Sequence, residues 1–345
     1  MSTNAASEAT KKWEAALGRN PHKDFKSVEA SRPDYDTTRP GFTYTKSPNP
    51  AWTPGSGSSD PSVLTKQKIS IDPYEEGRVP GDNYKLLISG VVPRPIGFVS
   101  TVSKDGKGEN LAPFSYTQIV NHDPPILVVG FSSGQGAFKD TLQNALDTKE
   151  LTVNIISEWM VEAANYCAIN APSDVSEWAL TGLTQTPSKV VKAPIVAESA
   201  FSIECRLLSS TPFHSKLPPH AQTGTLLVLE GVYFHVREDA LNSSKNIVDV
   251  NVLKPVSRLG GITYGRVGEG FEMPRPDWGK EVEGGGLEGL VRERGNDILQ
   301  AVKISEWMRQ ASTKSDLLQI GARMTKLQVY LSVYGHGSGP LALGP

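Results

Sequence analysis

Between residues 201 and 207 apolar and polar side chains alternate without a break. Phe201, Ile203, Cys205 and Leu207 fall on one side, and Ser202, Glu204 and Arg206 on the other. A period of two is the signature of a strand whose faces meet different surroundings. Short apolar runs of the same kind recur at 96–102, 111–120, 126–132, 151–156 and 223–237, the last with Gly231 as a bulge or bend. Lys104-Asp105-Gly106-Lys107-Gly108 and His122-Asp123-Pro124-Pro125 supply turns between them. Helical spacing is confined to 138–148, 158–168 and 287–310, with a short helix candidate at 5–17. Many short strands with few helices between them predict a closed or nearly closed β-barrel, not a doubly wound parallel sheet.

A chain of 345 residues allows one large domain or two ordinary ones, and 38% hydrophobic residues suffice for a sizeable core. Residues 1–62 read as a separate arm, extended or partly disordered. Seven prolines punctuate it and Gly55-Ser56-Gly57-Ser58-Ser59 reads as a flexible link. Its aromatics, Trp13, Phe25, Tyr35, Phe42, Tyr44 and Trp52, leave open a second reading, in which part of it lies across the folded body. Residues 63–278 read as the barrel domain, and 279–345 as a helical segment followed by a low-complexity tail.

A net charge of −2 gives no electrostatic case for nucleic acid or an anionic membrane. No apolar run reaches the roughly 18 to 20 residues of a spanning helix, and the N-terminus lacks a signal core. Two cysteines, Cys167 and Cys205, are too few for a disulfide scaffold and fit a reducing compartment. The expectation is a cytoplasmic protein. The six histidines show no metal-ligand spacing. There is no dinucleotide-binding glycine fingerprint after a strand, no phosphate-binding P-loop and no nucleophile elbow.

What remains is 93–144, where polar clusters sit between apolar runs. Lys139-Asp140-Thr141 opens the helix predicted at 138–148, shortly after Ser132-Ser133-Gly134. A helix start presents unpaired N–H groups and partial positive charge, so these residues suit a phosphate. Asn144 lies one turn on and is placed to support the cluster. Taken alone, ordinary capping by Asp140 or Ser133 is the simpler account. Arg94 lies between two prolines that fix its backbone; a phosphate contact and a surface arginine at a turn both fit. In Asn110-Leu111-Ala112-Pro113-Phe114-Ser115 a proline interrupts a strand. That implies an edge or bulge with free backbone groups, able to meet the rim of a planar ring or simply to end a sheet.

Together with Pro93-Arg94-Pro95-Ile96, Val99-Ser100-Thr101, Asp123-Pro124-Pro125, Lys139-Asp140-Thr141-Leu142-Gln143-Asn144 and Arg258-Leu259-Gly260-Gly261, these phrases resemble the flavin reductase-like, FMN-binding split-barrel family. The likeness covers 84–276 and is greatest to its flavoredoxin branch as found in fungal proteins. The resemblance implies a mainly β fold: a six-stranded antiparallel Greek-key split β-barrel with a few flanking helices and long terminal extensions. It also implies a homodimer with FMN at the interface. By the same resemblance Ala112, Pro113, Phe114, Ser115, Tyr116 and Thr117 would contact the flavin ring. Arg94, Thr101, Ser132, Lys139, Asp140 and Thr141 would lie at the phosphate with Asn144 in support, and Tyr264 would lie near the site. The implied activity is an FMN-dependent oxidoreductase, most simply an NAD(P)H:flavin reductase with NADH or NADPH as donor and free flavin or a small molecule as acceptor. Two alternatives stay open. One is a flavin enzyme acting directly on a small organic metabolite; the other is a non-catalytic flavin- or partner-binding module. The sequence shows no catalytic acid or base and no nicotinamide site.

Overall fold

The computed structural model describes residues 24–132, 138–216 and 220–283, with Leu287 and Leu290. The helices expected near 5–17 and over 287–310, the serine–glycine pair at 133–134 and the tail at 335–340 lie outside these residues. The chain divides into two compact units, residues 1–45 with 68–270, and residues 46–67 with 271–345.

The first unit carries the barrel. Its described helices are α1 (Phe25–Ala30), α2 (Pro80–Gly90), α3 (Asp140–Thr148), α4 (Val161–Tyr166), α5 (Glu177–Thr181) and α6 (Val250–Leu253). Strand β1 (Thr43–Thr45) belongs to the arm. Strands β2 (Gly97–Val102), β3 (Glu109–Phe114), β4 (Thr117–His122), β5 (Pro125–Ser132), β6 (Glu150–Ile155), β9 (Phe201–His214) and β10 (Gln222–Val236) form one sheet; β7 (Gln185–Thr186) and β8 (Ile195–Val196) pair beside it. The sheet order is β3-β2-β6-β9-β10-β5-β4, antiparallel throughout.

The two edge strands of that order, β3 and β4, are consecutive in the chain. Only Ser115 and Tyr116 separate them, and three residue steps reach about 11 Å at most. A flat seven-stranded sheet cannot be joined edge to edge by so short a link, so the sheet must roll up. Residues 111–120, predicted as one strand, are thus one strand sharply broken at 115–116. Thr117 Oγ1 donates to the Phe114 carbonyl across the break (2.8 Å). Counted as a single bent strand, β3–β4 gives the six strands expected. The ring then runs β2, β3/β4, β5, β10, β9, β6, and the step from β5 to β6 skips two neighbours, which is the Greek key. Pro113 lies on edge strand β3, where its missing N–H is tolerated.

Burial follows the alternation. Val99, Phe114, Val129, Phe131, Val153, Ile203, Cys205, Leu227 and Leu229 fill one core, joined by Leu142 and Ala145 from α3. Phe98, Leu111, Ile156, Met160, Trp178 and Val196 make a second core on the other side of β2. β2 is therefore covered on both faces. The polar side of β9 is also covered: Ser202 and Glu204 are buried. The ladder between β9 and β10 shifts register between Gly231 and Tyr233, at the bulge the sequence predicts.

Part of the arm does lie on the body. Tyr35 donates its hydroxyl to Glu158 (2.6 Å) under the Arg266 guanidinium, and Thr43 N–H donates to Gly268 O (3.1 Å), starting the pairing of β1 with 269–271. In the second unit Trp52 Nε1 donates to Gly57 O (2.7 Å), a 3₁₀ turn spans Pro61–Thr65, and a short helix, α7, spans Trp278–Glu283.

Candidate functional site

α3 forms because Leu142 and Ala145, one face of a helix apart, enter the first core. Its N-cap position is Lys139, whose own side chain makes no capping bond. Asp140 is the first helical residue, so it is not the cap that the simpler account requires. The first intrahelical bond runs from Gln143 N to Lys139 O (3.0 Å). The helix start therefore combines a lysine, backbone N–H groups and the positive end of the dipole. Burial raises the Asp140 carboxyl above its usual range, against the opposing pull of Lys139.

The side chains around this start hold one another. Asn144 Nδ2 donates to Thr101 Oγ1 (3.2 Å), tying α3 to β2. Thr141 Oγ1 donates in a short bond to Asn110 Oδ1. Asn110 Nδ2 donates to Glu177 Oε2 (3.0 Å), which also accepts from Leu111 N (3.2 Å). Thr101 is 0% exposed and Thr141 2% exposed. This revises two assignments that the resemblance implies. Both hydroxyls are interior struts bonded to protein partners, and the exposed side chains at the start of α3 are Lys139 and Asp140. Ser132, half-buried, ends β5 opposite Gly224.

Arg94 is also revised. It is 8% exposed, and its guanidinium donates to the carbonyls of Ile88, Val91 (2.9 Å) and Leu259 (3.0 Å). Its backbone pairs in both directions with Arg258 at the start of the β11 (Val256–Arg258) to β12 (Tyr264–Arg266) hairpin. Two of those carbonyls belong to the last turn of α2, where orphan acceptors and the negative dipole end favour a cation. Arg94 is a bracket between α2 and the 258–264 loop, not an open phosphate ligand. Burial pulls its guanidinium below the usual arginine value, and Tyr116, Tyr84 and Arg258 lie within its electrostatic range. Tyr264 donates to Asn165 Oδ1 (2.9 Å) beneath the Arg258 guanidinium (4.3 Å), and burial raises its phenol despite that cation.

The expected residues thus gather in two groups, one at each end of β3. Thr101 pairs with Asn110 near α3, and Gly97 pairs with Phe114 next to the bend at Ser115 and Tyr116. Gly97 is required there, because a Cβ would come within 2.7 Å of Thr117 Oγ1. Ala112 packs against the first core, and Phe114 stacks on Phe131 within it (4.4 Å). Beside α3 lies a cavity of about 490 Å³ whose walls include Asp105, Glu109, Asp140 and Asp174 against Lys107. Asp105, Glu109 and Asp174 make the far walls of that cavity unfavourable to a phosphate. The sequence reading missed Glu177. It lies 66 residues from Leu111 in sequence, inside the Pro- and Ser-containing stretch that runs to about Pro194. Its only signal was an acid at the start of a short apolar helix.

Comparison with known proteins agrees with this architecture. Residues 89–250 match the model of the flavin reductase like domain. An uncharacterised protein of Halalkalibacterium halodurans is 39% identical over 198 residues, 56% of this chain and 91% of the relative. YwrF of Bacillus subtilis is 37% identical over 56% of this chain and 94% of its own. Among solved structures, nitrilotriacetate monooxygenase component B from Bacillus cereus superposes with a TM-score of 0.56 at 36% identity, covering 60% of this chain and all of that one. The 2-nitrobenzoate 2-nitroreductase of Pseudomonas fluorescens superposes with a TM-score of 0.53 at 27% identity, over 61% and 98% of the two chains. With nearly the whole length of such relatives matched, and the same rolled antiparallel sheet, the chain belongs to the flavin reductase-like family of flavin-dependent oxidoreductases.

Proposed function

We propose that the chain binds FMN along β3 and acts as an NAD(P)H-dependent flavin reductase. The observation that carries this is the start of α3, where Lys139 occupies the N-cap position ahead of the first-turn backbone N–H groups. That is the donor set a phosphate needs. The residues fit the rest of the molecule as well. From Asn110 to Phe114 is four strand steps, about 13 Å, which suits an extended mononucleotide with its phosphate by α3 and its ring by the bend at 115–116. Lys139 and the first-turn backbone of α3 would hold the phosphate, and the chain from Ala112 to Thr117 would meet the ring. Bound there, the flavin would supply hydride acceptance from a reduced nicotinamide and onward electron transfer. The protein's part is binding, orientation and exclusion of water, which agrees with the lack of a catalytic acid or base in the sequence.

A homodimer is part of this reading. Ile119, Val120, Leu208 and Phe213 expose apolar surface on β4 and β9, an area of the kind that a partner covers. The likeness to a monooxygenase component supports delivery of reduced flavin to a separate acceptor. The likeness to a nitroreductase supports a second reading, direct reduction of a small organic substrate. Purified protein mixed with FMN should show the flavin absorption band in the protein fraction after gel filtration. It should oxidise NADH or NADPH faster with added free FMN than without. Protein that retains no flavin would contradict the binding. Retained flavin that ignores both nicotinamides but turns over a nitroaromatic would favour the second reading.

A further inference from the structure

Glu177 is a carboxylate 5% exposed whose contacts lead to the start of α3. α5, which it opens, is docked on β3 by Ser176 Oγ donating to Glu109 O (2.7 Å) and by Trp178 in the second core. Glu177 Oε2 then accepts both Asn110 Nδ2 and Leu111 N. An ionised carboxylate can only accept, so it dictates which end of the Asn110 amide turns toward it. The NH₂ faces Glu177, and the carbonyl is left to take the Thr141 hydroxyl hydrogen. We infer that Glu177 is a positioning residue for the phosphate end of the flavin site, acting through Asn110 and Thr141 on the first turn of α3. This rests on the FMN reading above.

The relay has a definite consequence. Thr141 spends its only hydroxyl hydrogen inward, so its side chain does not compete with Lys139 or the backbone N–H groups for the ligand. It also pins the second helical residue to an edge strand that α5 holds from the other side. Residues 138 to 141 are thereby fixed before a ligand arrives. Such preorganisation shows as affinity for the group bound at that spot and not for the rest of the ligand. Glu177 lies too far along the relay to touch the ring group at the Gly97–Phe114 end of β3. Its removal should therefore separate FMN from riboflavin, which has the ring and the ribityl chain but no phosphate.

The test is titration of the full chain and its variants with FMN and with riboflavin, followed by flavin fluorescence. Glu177→Ala and Asn110→Ala should each weaken FMN about tenfold while changing riboflavin less than about twofold, the loss of one charge-assisted bond in a chain. Glu177→Gln, whose amide oxygen still accepts both N–H groups, should stay within about threefold of wild type for FMN. The double variant Glu177→Ala/Asn110→Ala should bind FMN no more weakly than either single one, because both break the same relay. Equal loss for FMN and riboflavin in Glu177→Ala would make Glu177 a packing residue and overturn the inference, as would additive losses in the double variant. If Glu177→Ala does not fold, Asn110→Ala decides, and an unselective or absent loss there overturns it. Wild-type protein that binds neither flavin overturns the FMN reading and the inference with it. Wild type that binds FMN, with variants that fail to discriminate, overturns the role of Glu177 alone.

Discussion

Among the described residues two glutamates are buried, and they are held in opposite ways. Glu204, 0% exposed, accepts the N–H groups of Lys189 (2.6 Å), Val190 (2.7 Å) and Val191 (2.9 Å) and a bond from His235 Nε2 (2.6 Å). Burial alone would raise its carboxyl, but the N–H of Lys189, His235 and the N–H groups of Val190 and Val191 outweigh it and hold it below the usual range. Glu177 is dominated by burial. Its N–H donors do not offset that cost, Asp140 adds repulsion, and its carboxyl is raised. The first is an ion whose surroundings were built around its charge. It pins the 189–191 loop over the polar face of β9 and ties both to His235 on β10. The second orients the Asn110 amide, which in turn accepts Thr141 at the start of α3. The first is tied to the scaffold around β9, and the second is linked to the start of α3.

Breaking the scaffold side should give the largest effect. Glu204→Ala leaves three backbone N–H groups and His235 facing a void, and should cost about 3 to 5 kcal/mol in urea unfolding. An unchanged midpoint would remove the distinction between the two glutamates. Arg94→Ala should follow at about 2 to 3 kcal/mol, from carbonyls of α2 and the 258–264 loop losing their cation. Its ratio of FMN to riboflavin affinity should equal that of wild type; a selective loss of FMN would return Arg94 to the phosphate. Gly97→Ala should cost about 1 to 3 kcal/mol, since its Cβ meets Thr117 Oγ1. Thermal unfolding of Gly97→Ala beside Gly97→Ala/Thr117→Ala, with Thr117→Ala as the reference, tests whether the Thr117 side chain is responsible.

The smallest effect is in the pH dependence. Glu204, lowered when folded, contributes stability that is present above the usual glutamate range and lost as pH falls through its lowered value. Glu177, raised when folded, contributes with the opposite sign: its stabilising share is complete below the usual range and is lost as pH rises through the raised value. Glu177→Gln should therefore gain stability relative to wild type as pH rises across that window. Urea midpoints at several pH values check this, and a gain on acidification would reverse the assignment.

Much of this architecture was legible in the chain, because strands announce themselves locally. The alternation at 201–207, the bulge at Gly231 and the helix at 138–148 are properties of neighbouring residues, and each is in place. The break at 115–116 was hidden, because Ser115 and Tyr116 do not interrupt the apolar texture; only sheet closure reveals it. The site was legible as a set of phrases but not as roles. Arg94 looks like a ligand because it is charged and held rigidly, yet its acceptors are carbonyls at 88, 91 and 259, which no local pattern announces. Thr101 and Thr141 look like ligands until the first is seen buried and accepting from Asn144, and the second buried and donating to Asn110. Glu177 gave no motif at all, since its meaning lies in contacts across 66 and 67 residues of chain.

The central claim is that one end of β3 receives a phosphate and the other a ring, and Lys139 tests it most directly. Titrations of wild type and Lys139→Ala with FMN and riboflavin should show wild type preferring FMN. The variant should lose about 1 to 3 kcal/mol of FMN affinity, the usual worth of a charge-assisted bond, while riboflavin binding stays as it was. Wild type that binds both flavins alike, or a variant that keeps its full preference for FMN, would contradict the account.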